Sequence, residues 1–146
     1  MIDMQQSKHS AAPSLLGYLY QCRIALLKTL KRLRADPCVT VAIETLDDVV
    51  FEKEGTPVEI IQIKHHINRK ANLTDGSTDL WKTIRIWCDL YRGGVTQNGP
   101  VLCMMTTAKA PEDSAAYYLR AENRNFAMAE RLLLQTAQTS VSETNK

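Results

Sequence analysis

The segment from 58 to 66, VEIIQIKHH, constrains the fold most strongly, because an almost unbroken apolar run ends in amide, basic and imidazole side chains. Its length and β-branched content predict the strongest strand of the chain. Side chains alternate along a strand, so Gln62 and Lys64 share one face as neighbours. Buried amides and cations are costly without partners. Their position in this strand therefore indicates a site.

The segments before this strand predict a helix and an antiparallel hairpin. From Ser14 to about Arg34, apolar residues recur every three or four positions, which is the helical period. The predicted packing face of this helix comprises Leu15, Leu19, Cys22, Leu26, Leu30 and Leu33. Residues 39–45 and 48–53 are short and β-rich, and the turn at 54–57 joins the second of them to the strong strand.

The segments after it predict a helix, a strand and a further helical stretch. The helix covers residues 77–92, and its predicted buried side comprises Leu80, Trp81, Ile84, Trp87, Cys88 and Tyr91. Residues 100–108 predict a buried strand, and a helical stretch from 111 to about 138 has a break expected near 123–125. This order favours an α/β fold with a mixed sheet and helices on both faces.

Composition excludes several classes of protein. The 146 residues suit a single domain, and 45% hydrophobic with 23% charged residues is ordinary globular composition. The four cysteines are widely separated, so neither a zinc cluster nor a disulfide framework is indicated. No signal peptide or membrane span is evident, which predicts a cytoplasmic protein. A net charge of +2 is too small to identify a partner, so a nucleic-acid surface would need local clusters of Lys and Arg.

Asp48 opens the second strand, and a tight turn at 54–57 would bring it opposite residues 62–64. A carboxylate, an amide oxygen and an ammonium would then meet at one edge of the sheet. Phosphodiester hydrolysis uses such a set, because oxygen ligands hold Mg²⁺ and a cation offsets the charge that develops on the phosphate. We therefore expect Asp48, the Gln62 side chain and the Ile63 backbone carbonyl to bind Mg²⁺, for which Mn²⁺ can substitute, and Lys64 to position water or stabilise the transition state.

Two further residues are candidates for this site. Glu44 could supply the second negative charge that the neutral Gln62 does not provide, although Asp47 or water could complete the coordination shell instead. In the first helix Gly17, Gln21 and Ala25 recur at intervals of four. Gln21 thus lies on a face of small residues, where the helix can approach the sheet or a DNA backbone closely.

Four segments together carry a resemblance to a known family: SAAPSLLGYLYQCRIALL, ETLDDVVFE, VEIIQIKHH and DLWKTIRIW. They resemble the dsDNA endonuclease domain of bacterial CD-NTase-associated (CBASS) antiphage effectors and, more broadly, the Mrr-type branch of the PD-(D/E)XK restriction-endonuclease-like superfamily. The similarity covers roughly residues 10–135. It implies a restriction-endonuclease-like core with the order α-β-β-β-α-β-α. It also implies a catalytic set in which Asp48, Gln62 and Lys64 match the D…QxK form of the motif. Gln21 matches the glutamine that this branch carries in its first helix. In the most widespread form of the motif, Asp or Glu stands where this chain has Gln62.

The resemblance also implies partners and boundaries. Double-stranded DNA is the implied substrate, a homodimer is expected because cutting both strands calls for two sites, and the family usually adds a C-terminal sensor or NTPase module. We expect a nuclease domain over 1–138 and a polar tail or linker over 139–146. The alternative is a catalytically inactive nucleic-acid-binding or protein-interaction module on the same fold, in which Gln62 records the loss of metal binding.

Basic residues near the predicted site are candidates for contacts with the DNA backbone. They are Lys82, Arg85, His66, Arg69 and Lys70. Such residues more often form a merely solvated face. Trp81 and Trp87 are expected to be core anchors rather than platforms for base stacking, because they lie on the apolar side of their helix.

Overall fold

The computed structural model describes residues 12–66, 71–97 and 99–140, which form helices and strands in the predicted order. The elements are α1 (Ala12–Arg32), β1 (Thr40–Ile43), β2 (Val49–Lys53), β3 (Thr56–Lys64), α2 (Thr78–Arg92), β4 (Val101–Thr106), α3 (Ala115–Leu119), a 3-10 turn (Ala121–Asn123) and α4 (Phe126–Thr139). The predicted break in the last helical stretch is confirmed. Asn125 caps α4 there, since its side chain accepts a hydrogen bond from the Met128 N–H at 3.1 Å.

The four strands form one mixed sheet in the order β1-β2-β3-β4. The first three strands are antiparallel, and β4 runs parallel to β3 after the α2 crossover. Glu54 and Gly55 turn the β2-β3 hairpin with φ values of 52° and 75°, which suits a tight two-residue connection. Val49 pairs with Ile61 in this hairpin, so Asp48 stands next to Gln62.

Helices cover both faces of the sheet, so the predicted mixed α/β architecture is confirmed. On one face Ile24 and Ala25 of α1 pack against Val49, Phe51 and Ile61. On the other face the core contains residues of α2, α3, α4 and β4, together with the segment before α2: Leu73, Leu80, Ile84, Met104, Ala116 and Leu133. Among the described helices, none combines the length and the hydrophobicity that a bilayer-spanning segment requires.

The predicted packing face of α1 is wrong. Five leucines of that face, Leu15, Leu19, Leu26, Leu30 and Leu33, are 47–61% exposed. The helix instead turns Ile24 and Ala25 towards the sheet, along with Lys28 and Arg32, which both bind the carboxylate of the buried Glu59. Glu59 is flanked by apolar residues in β3, and Lys28 and Arg32 supply the positive charge that its buried carboxylate needs.

Two smaller predictions about burial also fail. In α2 Cys88 and Tyr91 are exposed, and the fully buried position is Thr83, whose hydroxyl donates to the Asp79 carbonyl at 2.8 Å. That internal hydrogen bond lets a polar side chain occupy the core side of the helix. Strand β4 lies at an edge of the sheet, and for this reason it is only half-buried, with Val101 62% exposed.

Candidate functional site

The Asp48 carboxylate joins three elements at the edge of the sheet. Its Oδ1 accepts a hydrogen bond from Gln21 Nε2 of α1 at 2.9 Å. Its Oδ2 accepts from Gln62 Nε2 and from the Ile63 backbone N–H of β3, both at 2.5 Å. The predicted meeting of Asp48 with Gln62 is therefore present, and Gln21 reaches the same carboxylate. Ile63 thus contacts Asp48 through its backbone N–H.

Local sequence explains why Gln21 reaches this carboxylate. Ala25, one turn further along α1, is 3% exposed and packs in the core with Val49 and Ile61, so the helix approaches the start of β2 closely. Gly17, one turn before Gln21, carries no side chain and lines the cleft beside the site. The interval of four that runs through these residues thus marks the face of α1 that meets the site.

Three buried oxygen atoms beside Asp48 have no hydrogen-bond partner among the described residues. They are Gln21 Oε1, Gln62 Oε1 and Asp47 Oδ2. A buried oxygen without a donor or a cation is costly, and native folds usually satisfy it. Because both amide nitrogens already donate to Asp48, their carbonyl oxygens are left to accept from, or to ligate, a further group.

Asp47 is a site residue that sequence reasoning left only as one option for the coordination shell. Burial raises the pKa of its carboxyl to about 6, against the opposing effect of the Asp48 backbone N–H, which donates to Asp47 Oδ1 at 3.0 Å. The Asp48 carboxylate also raises this pKa, whereas the charge of Lys64 lowers it. Asp47 therefore interacts with both the carboxylate of Asp48 and the ammonium of Lys64.

Lys64 lines an open cleft beside these groups. The cleft has a volume of about 280 Å³ and is lined by Gly17, Gln21, Ile63, Lys64, His65, His66 and Asp79. Lys64 is the last residue of β3 and is half-buried. Gln21 and Lys64 thus line the same cleft, which has room for a phosphate group.

Both histidines lie just beyond β3, where the predicted strand had included them. His65 stacks on Tyr20 of α1, with ring centroids 4.0 Å apart and planes 5° from parallel. His66 Nε2 lies 2.9 Å from Asp79 Oδ2 of α2, at an ion-pair distance but without hydrogen-bond geometry. The two rings thus brace the cleft against α1 and α2, on opposite faces of the sheet.

The structure does not bring every candidate into the cluster. Glu44 lies in the β1-β2 turn with a φ of 57°, and its side chain is exposed. Its contact with Asp48 uses the backbone, since the Glu44 N–H donates to the Asp48 carbonyl at 3.2 Å. Lys82 and Arg85 are exposed on α2. Arg69 and Lys70 lie outside the described residues. The short turn that presents Asp48 therefore directs Glu44 to solvent.

The donor set suits a hard cation that prefers oxygen ligands. Within the described ranges, no three His, Cys, Asp or Glu side chains gather in a way that could hold a metal ion. The available donors are instead the carboxylates of Asp48 and Asp47 and the two unpartnered amide oxygens. All four are oxygen donors, which Mg²⁺ prefers, and Mg²⁺ needs only one or two carboxylates because it retains several waters. The residues present fit Mg²⁺.

The groups available here are the carboxylates of Asp47 and Asp48 and the amide oxygens of Gln21 and Gln62, next to a cleft that Gln21 and Lys64 line. Comparison of the chain with protein-family models, with curated proteins and with solved structures gives no significant match. The geometry of this site is therefore the basis on which a function can be assigned.

Proposed function

We propose that the chain is a metal-dependent endonuclease domain of the PD-(D/E)XK type that hydrolyses phosphodiester bonds of double-stranded DNA with low sequence specificity. One observation carries the proposal: Asp48 binds Gln21 and Gln62 beside a cleft that Lys64 lines. The sheet with antiparallel β1-β2-β3 and a parallel β4 after a crossover helix supports a restriction-endonuclease-like core. The resemblance to antiphage effectors extends the proposal to prokaryotic defence.

In this proposal Asp48 and Gln62 hold Mg²⁺, with Asp47 as the second negative charge that the site needs. When bound, Mg²⁺ supplies Lewis-acid polarisation of the phosphate and makes water a better nucleophile. Gln21 fixes the orientation of the Asp48 carboxylate through its 2.9 Å hydrogen bond. The Ile63 N–H does the same from β3 at 2.5 Å. Fixed donors of this kind reduce the reorganisation needed during reaction.

Lys64 supplies the positive charge in the cleft. An ammonium beside the reacting phosphate orients the attacking water or offsets the negative charge that develops in the transition state. The positive charge of Lys64 lowers the pKa of Asp47, so the two side chains attract each other. We assign the backbone contacts with DNA to Lys82, Arg85, His66, Arg69 and Lys70, of which Lys82 and Arg85 are exposed on α2.

Cleavage of supercoiled plasmid in the presence of Mg²⁺ or Mn²⁺ tests the proposal. We expect the purified chain to nick and linearise the plasmid, and we expect Lys64→Ala to lower the rate by roughly a hundredfold, as loss of one transition-state contact does. Lys109→Ala is the matched control, because Lys109 is exposed and its recorded contacts use the backbone alone. Equal rates for Lys64→Ala and Lys109→Ala would remove Lys64 from the mechanism.

A second candidate function is a DNA-binding module without catalysis. Both carboxylate oxygens of Asp48 already accept protein hydrogen bonds, and this observation favours a structural role for the cluster. Calorimetric titration with Mn²⁺ separates the two functions, since the nuclease releases or absorbs heat and its Asp48→Asn variant does not. Absence of heat from the wild type, together with salt-sensitive DNA binding and an intact plasmid, would support the second function.

A further inference from the structure

A histidine and a carboxylate are paired in the lining of the cleft beside Asp48. His66 Nε2 lies 2.9 Å from Asp79 Oδ2, and the two side chains are 18% and 30% exposed. Both residues line the cleft, as Gln21 of α1 does. Because Asp79 belongs to α2, a substrate in this cleft would contact Gln21 from one helix and the pair from the other. Partial burial strengthens the attraction within the pair relative to an ion pair in water.

The surrounding structure holds both members of this pair in place. The His66 backbone N–H donates to Thr107 Oγ1 at 2.9 Å, and the Thr107 N–H donates to the Lys64 carbonyl at 3.2 Å. These bonds tie the chain that leaves β3 to the chain that leaves β4. Asp79 lies in the first turn of α2, where the helix dipole favours a negative charge. The pair is therefore organised before any substrate binds.

We propose that His66 is the general acid of phosphodiester hydrolysis and that Asp79 positions it, a role that rests on the proposed nuclease function. Because Nε2 faces Asp79 and is buried, Nδ1 is the ring nitrogen left to reach a substrate. Histidine gains and loses a proton near neutral pH, which suits it to proton transfer. The hydrogen bond between an acid and its orienting carboxylate is often poorly aligned without substrate and tightens when substrate binds. The contact of His66 with the DNA backbone is thereby assigned to the leaving oxygen.

The proton transfer balances as follows from the displacement at phosphorus. The oxygen of the attacking water bonds to phosphorus while the bond from phosphorus to the leaving oxygen breaks, and the electron pair of that bond stays on the leaving oxygen. His66 gives its Nδ1 proton to this oxygen, and the attacking water releases a proton to solvent. The neutral imidazole keeps its proton on Nε2, where Asp79 accepts it, and a proton from solvent restores Nδ1–H.

The two sides of the displacement then use different residues. The attacking and leaving oxygens lie roughly in line on opposite sides of phosphorus. Lys64 acts on the attacking water or on the charge of the phosphate, whereas His66 acts on the leaving oxygen. Loss of His66 should therefore matter only where the leaving atom needs a proton.

Duplex oligonucleotides in which sulfur replaces one bridging oxygen test this role. A thiol is far more acidic than an alcohol, with a pKa of about 8.5, so a thiolate leaves without a proton. Sulfur replaces the 3′ or the 5′ bridging oxygen according to the ends that the wild type leaves. With the full chain and Mn²⁺, we expect His66→Ala to slow cleavage of the oxygen linkage by roughly a hundredfold and of the sulfur linkage by less than about threefold. Lys64→Ala should slow both.

A second variant and a matched control separate proton transfer from support of the fold. Asp79→Asn should show the same preference for the sulfur linkage with a smaller loss on oxygen, because the imidazole remains but its charged partner does not. Asp89→Asn changes a carboxylate of the same helix that is 65% exposed and lies 3.4 Å from Arg92. We expect it to cleave both linkages at the wild-type rate. Retained cleavage of the sulfur linkage also shows that the His66 variant is folded.

Three results would overturn the role of His66. Equal slowing of both linkages by His66→Ala would mean that His66 holds the substrate or the fold and transfers no proton. Wild-type rates of His66→Ala on both linkages would mean that it takes no part in cleavage. Both of these results leave the nuclease function standing. A wild type that cuts neither linkage would remove the nuclease function and this role together.

Discussion

Replacement of Asp47 by Asn should stabilise the fold at neutral pH and leave it nearly unchanged in acid. Burial raises the pKa of this carboxyl from 3.8 to about 6, so the folded state binds the proton more tightly than the unfolded chain does. The stability that Asp47 contributes is then fully present below pH 3.8 and is lost as the pH rises through about 6. Above that window the ionised carboxylate destabilises the fold, and Asn avoids this cost.

The size of the effect follows from the same change in pKa. For a carboxylate shielded completely from water it would correspond to roughly 3 kcal/mol. Asp47 is only part-buried, and solvent screening reduces the expected gain at pH 7 to about 1–1.5 kcal/mol. Urea unfolding of wild type and Asp47→Asn at several pH values between these limits measures it, with Asp89→Asn as an exposed control on α2. A stability difference that does not change with pH would refute the assignment of burial as the cause.

Three further predictions concern the sheet and its helix. Phe51 is fully buried, so Phe51→Ala should lower the free energy of unfolding by about 3–5 kcal/mol in urea, and a loss below about 1 kcal/mol would contradict its place in the core. Glu59→Ala leaves Lys28 and Arg32 without their partner, but both side chains are about a third exposed and can turn to water. We therefore expect the free energy of unfolding to fall by only about 1–2 kcal/mol. An unchanged midpoint of urea unfolding would mean that the ion pairs contribute nothing to stability. Gly55→Ala should lower the free energy of unfolding by about 1–2 kcal/mol, because an L side chain is strained at a φ of 75° even where the surrounding space is open. A stabilised variant would contradict that turn geometry.

The order of the helices and strands and the contact between Asp48 and Gln62 were predictable from the sequence, because each depends on local periodicity. Alternation along β3 placed Gln62 beside Lys64, and the tight turn at Gly55 returned the chain so that Asp48 met Gln62. The interval of small residues around Gln21 indicated the face of α1 that approaches the sheet. Each of these inferences needs only the geometry of one element and one short connection.

The failures concern which side of an element faces a partner. The leucines of α1 have the helical period, but periodicity does not say whether an apolar stripe packs within the domain or remains exposed for another molecule. The buried side of α1 combines Ile24 and Ala25 with polar side chains, because Glu59 and Asp48 offer those side chains charged partners. Glu44 points to solvent because its φ of 57° is set by a turn that hydropathy does not reveal. Such features depend on tertiary contacts between distant segments.

Anomalous diffraction from a crystal soaked in Mn²⁺ shows whether Asp48 binds a metal ion. We expect a peak beside the Asp48 carboxylate, with the amide oxygen of Gln62 turned towards it and the ammonium of Lys64 facing the same cleft. A structure in which Asp48 keeps its hydrogen bonds to Gln21, Gln62 and Ile63, and in which no peak lies beside it at saturating Mn²⁺, would contradict metal binding at this site.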